Sequence, residues 1–346
     1  VKRFLHRLRT LAWISLFVGS VSSFFALFQE GSFSPTYLIY GLLDGVIIGA
    51  LIAFYVLFIV RGTFSDLARR TPFVLLLTIN TAAYVLVFVL ARAWAIWITG
   101  RGPFDILPYD RGHFQSAAIF ALIISLTINF FMQISQLLGQ NTLWNFLLGK
   151  YHRPASEFRF VMYLDLAGST SIAEKLGDKQ FLALLNDFFY DMTDAVLETG
   201  ADIYKYVGDE AILLWTRKRG VKRNDALRFI AAFARTLRDA EQKYALRYGL
   251  VPEFRAGLHY GQIVAGEMGN LRQEVAYMGD AMNTGARVLD VAKKLKKTFI
   301  VSEDALSQFN VPGLEDLGEH ELRGKEKRIR LYGAPDSLFE EFRRLE

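Results

Sequence analysis

At 346 residues the chain has room for about two domains, and its apolar share of 52% with a mean hydropathy of +0.22 is high for a wholly water-soluble protein. Lys and Arg number 40 against 35 Asp and Glu, a formal +5, yet no basic stripe with interleaved aromatics accompanies that excess, so no nucleic-acid partner is expected. The absence of cysteine excludes disulfides and thiolate metal sites.

Four apolar stretches open the chain: Leu11 to Phe28, Tyr37 to Val60, Phe73 to Ile98 and Phe114 to Leu138. Each approaches or exceeds the roughly 20 residues that cross a ~30 Å hydrocarbon core, which predicts a four-helix transmembrane domain over residues 1–138 in contact with membrane lipid. A basic start (Lys2, Arg3, Arg7, Arg9) before an apolar run is also how a cleaved secretion signal begins. No small-x-small cleavage site follows it cleanly and three more spans do, so an uncleaved anchor is expected. Arg61, Arg69 and Arg70 crowd the second loop, whereas the 30–36 loop carries no Lys or Arg. By the positive-inside rule the N-terminus and everything after residue 138 then face the cytoplasm, in a multi-pass protein of an inner or plasma membrane. Juxtamembrane basic residues facing anionic lipid account for the positive balance. Asp44 and Arg92 fall inside predicted spans at similar depth, about 10 Å below the outer surface at 1.5 Å per residue. They predict an ion pair between neighbouring helices, or else an outward-snorkelling Arg92 with Asp44 protonated or near the headgroups.

Residues 139–157 connect the two parts. Leu143, Trp144, Phe146, Leu147 and Leu148 make a short apolar helical face ended by Gly149 and Pro154. Such a face fits a dimerising helix that transmits the state of the membrane, and equally an interfacial helix resting on lipid.

Residues 158–346 alternate strand-like and helix-like patterns: a strand over Phe158 to Leu164, helix over Ser169 to about Thr199 broken near Gly177, and a hairpin over 201–216 turning at Gly208-Asp209. A helix is predicted over about Asn224 to Tyr248, strands at Glu253 to Tyr260 and Ile263 to Gly266, a helix at Asp280 to Leu295 and a strand at Thr298 to Ser302. The sum is an α+β domain with helices on a mixed sheet.

Two carboxylates stand out in it. Asp165 ends the apolar run from Phe158 and precedes Leu166-Ala167-Gly168-Ser169-Thr170, and Asp209 sits at the hairpin turn before Glu210-Ala211-Ile212-Leu213-Leu214-Trp215. Paired buried-strand carboxylates beside a small-residue loop offer hard oxygen ligands to a divalent metal and free backbone N–H groups to phosphates. Taken singly, either aspartate could equally be a turn former or helix cap.

Four separated motifs run in order: Asp165-Leu-Ala-Gly-Ser-Thr170; Lys205-Tyr-Val-Gly-Asp209; Arg255-Ala-Gly-Leu-His-Tyr-Gly261 continuing to Gly266-Glu-Met-Gly269; and Gly279-Asp-Ala-Met-Asn283-Thr-Gly-Ala-Arg287. On these motifs, residues 156 to 334 resemble the class III nucleotidyl cyclase catalytic domain. The resemblance implies a ferredoxin-like, palm-type fold working as a head-to-tail homodimer, with ATP bound at two interfacial sites built from both chains. It implies that Asp165, Asp209 and the Leu166 carbonyl hold two Mg²⁺ or Mn²⁺ ions per active site. Gly168, Ser169 and Thr170 would then offer N–H groups to the phosphates at a helix start. From the partner chain, Asn283 would orient the ribose and Arg287, one turn on, would meet the charge growing on the α-phosphate. Lys205 matches a base-selecting lysine, able to donate to N1 of adenine but not to the protonated N1 of guanine. Two departures stand out. Ala276 occupies a position where adenylyl cyclases usually carry Asp or Thr, and Arg323, in Leu322-Arg-Gly-Lys325, stands where a phosphate-binding lysine is common, so that either Arg323 or Lys325 could serve.

The implied activity is a membrane-anchored adenylyl cyclase making 3′,5′-cyclic AMP and pyrophosphate from ATP. A guanylyl cyclase is disfavoured by Lys205, and a non-catalytic receptor using the fold for dimerisation is disfavoured by the presence of both aspartates, Asn283 and Arg287. His259 reads as a satisfied core or hairpin residue, and so few histidines make a haem sensor unexpected.

Overall fold

A computed structural model of the chain describes residues 2–30, 35–63, 71–99, 114–138, 148–271, 273–311, 313–325 and 327–334. They form two compact units, 1–140 and 141–346.

The first unit holds four helices: α1 (Lys2–Glu30), α2 (Pro35–Phe54, continued by a π-helical segment Tyr55–Thr63), α3 (Phe73–Thr99) and α4 (Phe114–Leu138). Against four predicted spans, two apolar runs among the described residues are long enough to cross a membrane, Arg7–Phe28 and Gly41–Val60. The runs in α3 and α4, Phe73–Val87 and Leu122–Ser135, are shorter. α1 and α2 meet along small residues: a Cβ on Gly45 would lie 2.6 Å from Cβ of Ser22 and 2.8 Å from Cα of Gly19. α3 and α4 are joined by polar groups instead. The Asn129 amide donates to the Leu77 carbonyl (3.3 Å) and that of Gln133 to Asn129 Oδ1 (3.0 Å), in a buried setting. Large apolar side chains such as Trp13, Phe17, Phe24, Phe28, Leu43 and Ile47 are exposed on this unit, where an aqueous bundle buries them. The side chains of Asp44 and Arg92, and residues 139–147 of the connector with Trp144 and Phe146, lie outside the described residues.

In the second unit a mixed sheet is built from β1 (Ala155–Leu166), β2 (Asp202–Val207), β3 (Glu210–Thr216), β4 (Phe254–Met268), β6 (Phe299–Ser302), β7 (Glu315–His320) and β8 (Ile329–Gly333), in the order β2-β3-β1-β4-β6-β8-β7, with β5 (Glu274–Met278) paired to β4. Its helices are α5 (Ser169–Leu176), α6 (Asp178–Thr199), α7 (Arg217–Val221), α8 (Asp225–Asp239), α9 (Glu241–Tyr248), α10 (Asp280–Leu295) and α11 (Glu303–Leu306).

Strand alternation sorts β1 between two layers. Phe160, Met162, Leu164 and Leu166 pack with Leu184, Phe188 and Met192 of α6 and Phe229 and Phe233 of α8. Val161 and Tyr163 face the other way, onto Ala281, Met282 and Leu289 of α10. α10 lies so close to β4 that a Cβ on Gly257 would sit 2.4 Å from the Leu289 nitrogen. The two strands predicted at 253–260 and 263–266 are one strand of 15 residues. Gly261, in the gap between the two predicted strands, marks a close approach: a Cβ there would meet that of Ala281 at 2.8 Å. β1 begins at Ala155, three residues before the predicted Phe158, behind Tyr151, which is buried and donates its hydroxyl to Glu157 (2.8 Å).

Candidate active site

Asp165 occupies an odd position of β1, so it follows Val161 and Tyr163 onto the α10 face, where it is only 6% exposed. Glu210 opens β3 directly opposite it and shares the face of Ile212 and Leu214. Asp209 is held at the two-residue β2–β3 turn, which Gly208 makes with φ 62°, and its carbonyl accepts from the Leu166 N–H at 3.4 Å. The structure therefore brings Asp165, Leu166 and Asp209 together.

Beside them Gly168 takes a left-handed conformation (φ 70°) that starts α5 at Ser169 and Thr170 with no side-chain cap. A Cβ at Gly168 would meet nothing within 4 Å, and the first N–H groups of α5 remain available to an anion.

Burial pushes the Asp165 carboxyl above its usual range, the Lys293 ammonium of α10 pulls it partly back, and the Asp209 carboxylate adds to the rise. Lys293 forms an ion pair with Asp165. Burial also pushes Glu210 up to about 7, with Lys293 opposing and Asp165, Asp209 and Asp290 adding. This is a place that calls for positive charge. Among the described residues no three His, Asp or Glu side chains make a metal cage of their own. Mg²⁺ is commonly bound by one or two carboxylates completed by substrate phosphates and water, and Asp165 and Asp209 fit that donor set.

The other predicted residues lie in separate groups. Asn283 is exposed on α10; Arg287, one turn further, is half-exposed and donates to Asp290 Oδ2 at 3.0 Å. Lys205 is exposed on β2 and pairs with Glu274 of β5 at 3.4 Å. Ala276 is buried, 6% exposed. Lys325 pairs with Asp280 at the start of α10, while Arg323 is exposed. Lys293, Glu210 and Glu274 were missed from sequence; Glu210 had a signal in its place next to Asp209, whereas Lys293 and Glu274 look like ordinary surface charges. His259 is buried, shares a hydrogen bond with Ser302 Oγ at 2.8 Å, and is lowered by burial to about 4, as a core residue should be.

Comparison with known proteins identifies the family and the fold of residues 155–333. The family described as Adenylate and Guanylate cyclase catalytic domain matches residues 155–333. Adenylate cyclase 2 of Rhizobium meliloti (strain 1021) is 36% identical over 214 residues, covering 61% of this chain and 59% of that protein. Atrial natriuretic peptide receptor 2 of Homo sapiens is 28% identical over 175 residues, 48% of this chain and 16% of the receptor. The chain thus spans about three-fifths of the first of these relatives and a much smaller share of the second. A solved bacterial light-regulated adenylyl cyclase shares the fold, with a TM-score of 0.53 at 18% identity over 66% of this chain and 69% of that one. Through residues 155–333 the chain belongs to the adenylate and guanylate cyclase catalytic domain family.

Proposed function

We propose that the chain is a membrane-anchored adenylyl cyclase that converts ATP to 3′,5′-cyclic AMP and pyrophosphate at the interface of a homodimer. The observation that carries the reading is the joining of Asp165 to Asp209 across the Leu166 hydrogen bond, beside the uncapped start of α5. The likeness to Adenylate cyclase 2 supports the choice of nucleotide, as does a lysine rather than an acid at position 205.

In the reaction the ribose 3′-oxygen bonds to the α-phosphorus, the bond from that phosphorus to the bridging β-oxygen breaks, and the hydroxyl proton leaves to solvent. Asp165, Asp209 and the Leu166 carbonyl would hold two divalent cations, Mg²⁺ or Mn²⁺, which when bound would supply charge neutralisation and a more acidic ribose hydroxyl. Gly168, Ser169 and Thr170 hold the phosphates through their N–H groups. Arg287 of the partner subunit faces the charge that grows at the α-phosphate, and Asn283 of the partner subunit fixes the ribose. Supporting this division is Arg287's engagement within its own chain by Asp290, leaving Lys293 as the cation that reaches Asp165. Arg323 or Lys325 completes the phosphate contacts.

The first unit acts as a four-span anchor with both termini in the cytoplasm. Its exposed apolar side chains and the basic residues at the start and at 61–70 support that reading.

Mass spectrometry of products after incubation with ATP or GTP and Mn²⁺ tests the proposal. Cyclic AMP as the main product is expected, and 3′,5′-cyclic GMP in excess assigns the guanylyl activity instead. No cyclic nucleotide from either substrate sinks the catalytic reading.

A further inference from the structure

Lys205 and Glu274 set an ammonium and a carboxylate side by side, Nζ to Oε1 3.4 Å, with the two side chains 45% and 35% exposed. A half-exposed pair of this kind contributes little to stability. The strands that carry it are held by other means: Tyr204, next to Lys205, accepts from the Tyr277 N–H (3.4 Å) and meets the Tyr277 ring edge-on at 4.9 Å. That clamp fixes β2 against β5 beside the pair, so the ammonium and carboxylate are presented from two rigid elements and remain reachable from solvent.

β5 pairs with β4 in the register Gly266 to Ala276 and Met268 to Glu274, which puts Glu274 and Ala276 on one face of the strand, two residues apart. Ala276 is buried and its methyl side chain offers no hydrogen-bonding group. Glu274 is the nearest carboxylate along that face, and it is already directed to Lys205.

An ammonium only donates hydrogen bonds and a carboxylate only accepts them. Adenine presents an acceptor at N1 beside a donor at its 6-amino group; guanine presents a donor at N1 beside an acceptor at O6. A donor next to an acceptor therefore satisfies adenine at both positions and opposes guanine at both. We propose that Glu274 is a second base-selecting residue of this chain, accepting from the adenine 6-amino group while Lys205 donates to N1. The inference rests on the reading of the chain as a nucleotide cyclase and names the residue that replaces the side-chain acceptor missing at Ala276.

The test compares kcat/KM for ATP and GTP in the full-length chain, and in parallel the displacement of a fluorescent ATP analogue by ATP and by GTP, which reads selection without turnover. Glu274→Ala should lower the ATP-to-GTP ratio by about tenfold in both readouts, the size of one good polar contact. The exchanged pair Lys205→Glu with Glu274→Lys should turn the ratio toward GTP, since it presents an acceptor to guanine N1 and a donor to O6. A Glu274→Ala protein that melts like wild type but changes both substrates equally overturns the assignment, as does a wild type that prefers GTP. A chain that binds ATP selectively through Glu274 without cyclising it keeps the inference and removes the catalytic reading. A chain that binds neither nucleotide removes both.

Discussion

Lys293, near the end of α10, places its ammonium against the carboxylate of Asp165 at the end of β1. The contact follows from the alternation of β1, which turns Asp165 to the α10 face, and from the close seat of α10 on Gly257. Asp165 in turn holds the Lys293 ammonium more firmly protonated, against the cost of its own burial. An internal cation thus sits on a carboxylate oxygen that the proposed divalent ion would use.

Competition between the two is the first expectation. Lys293→Met should tighten Mn²⁺ binding several-fold, corresponding to about 1 kcal/mol for a pair that is partly exposed on the lysine side, and titration calorimetry on the full chain measures it. Unchanged Mn²⁺ affinity in a folded variant would show that Lys293 moves aside at no cost.

A site shared between subunits predicts complementation. Asp165→Ala and Arg287→Ala should each lose activity by at least a hundredfold, in the range seen when a group stabilising transition-state charge is removed. Co-expression should restore part of it, because a heterodimer keeps one intact site. Mixed, folded variants that remain as inactive as either parent speak for a site contained in one chain.

His259 supplies a pH dependence whose sign is fixed by its burial. Its folded-state pKa of about 4 lies below the ordinary 6.5, so its neutral form stabilises the fold above pH 6.5 and that contribution is lost as pH falls through 4. Asp304 and Asp280 face it and favour the charged form, while Lys325 opposes it. The full loss is about 3 kcal/mol at 1.36 kcal/mol per pKa unit. Asp165 and Glu210, both raised, work in the opposite sense, so the readout is differential: the melting temperature of His259→Asn should fall less than that of wild type between pH 6.5 and 4. Parallel curves for the two proteins would contradict the assignment.

In the first unit, Gly45→Leu places a branched side chain where even a Cβ would lie 2.8 Å from the backbone of Gly19 and the Val18 carbonyl. Helices α1 and α2 must separate, at about 1 to 3 kcal/mol for overpacking of this kind. Detergent-solubilised stability should drop, whereas Ile47→Leu, at an exposed position of the same helix, should leave it unchanged. Equal melting of both variants would argue against the tight α1–α2 seam.

What could be read from sequence was local. The apolar run into Asp165, the Gly208-Asp209 turn, the break at Gly177 and the extent of α10 are all recorded in neighbouring residues, through strand alternation, turn chemistry and helix periodicity. β7, Glu315-Asp-Leu-Gly-Glu-His320, escaped notice because three acids make it look like a loop; it is a strand because β8 offers it hydrogen bonds at the edge of the sheet. The unbroken course of β4 was hidden for a related reason, since Gly257 and Gly261 within it signal turns in sequence and accommodate other chain segments in space. The same holds for the charges. Lys293 and Glu274 carry no local mark of function, and they meet Asp165 and Lys205 only because the sheet order and the helix lying on one of its faces bring distant positions together. The sequence by itself determined which groups can do the chemistry, through their donor and acceptor character and the short-range pattern around them. Which of those groups stand side by side was decided by the packing of α10 and β5 on the sheet, because electrostatic and hydrogen-bonding partners act over a few ångströms of space and take no account of separation along the chain.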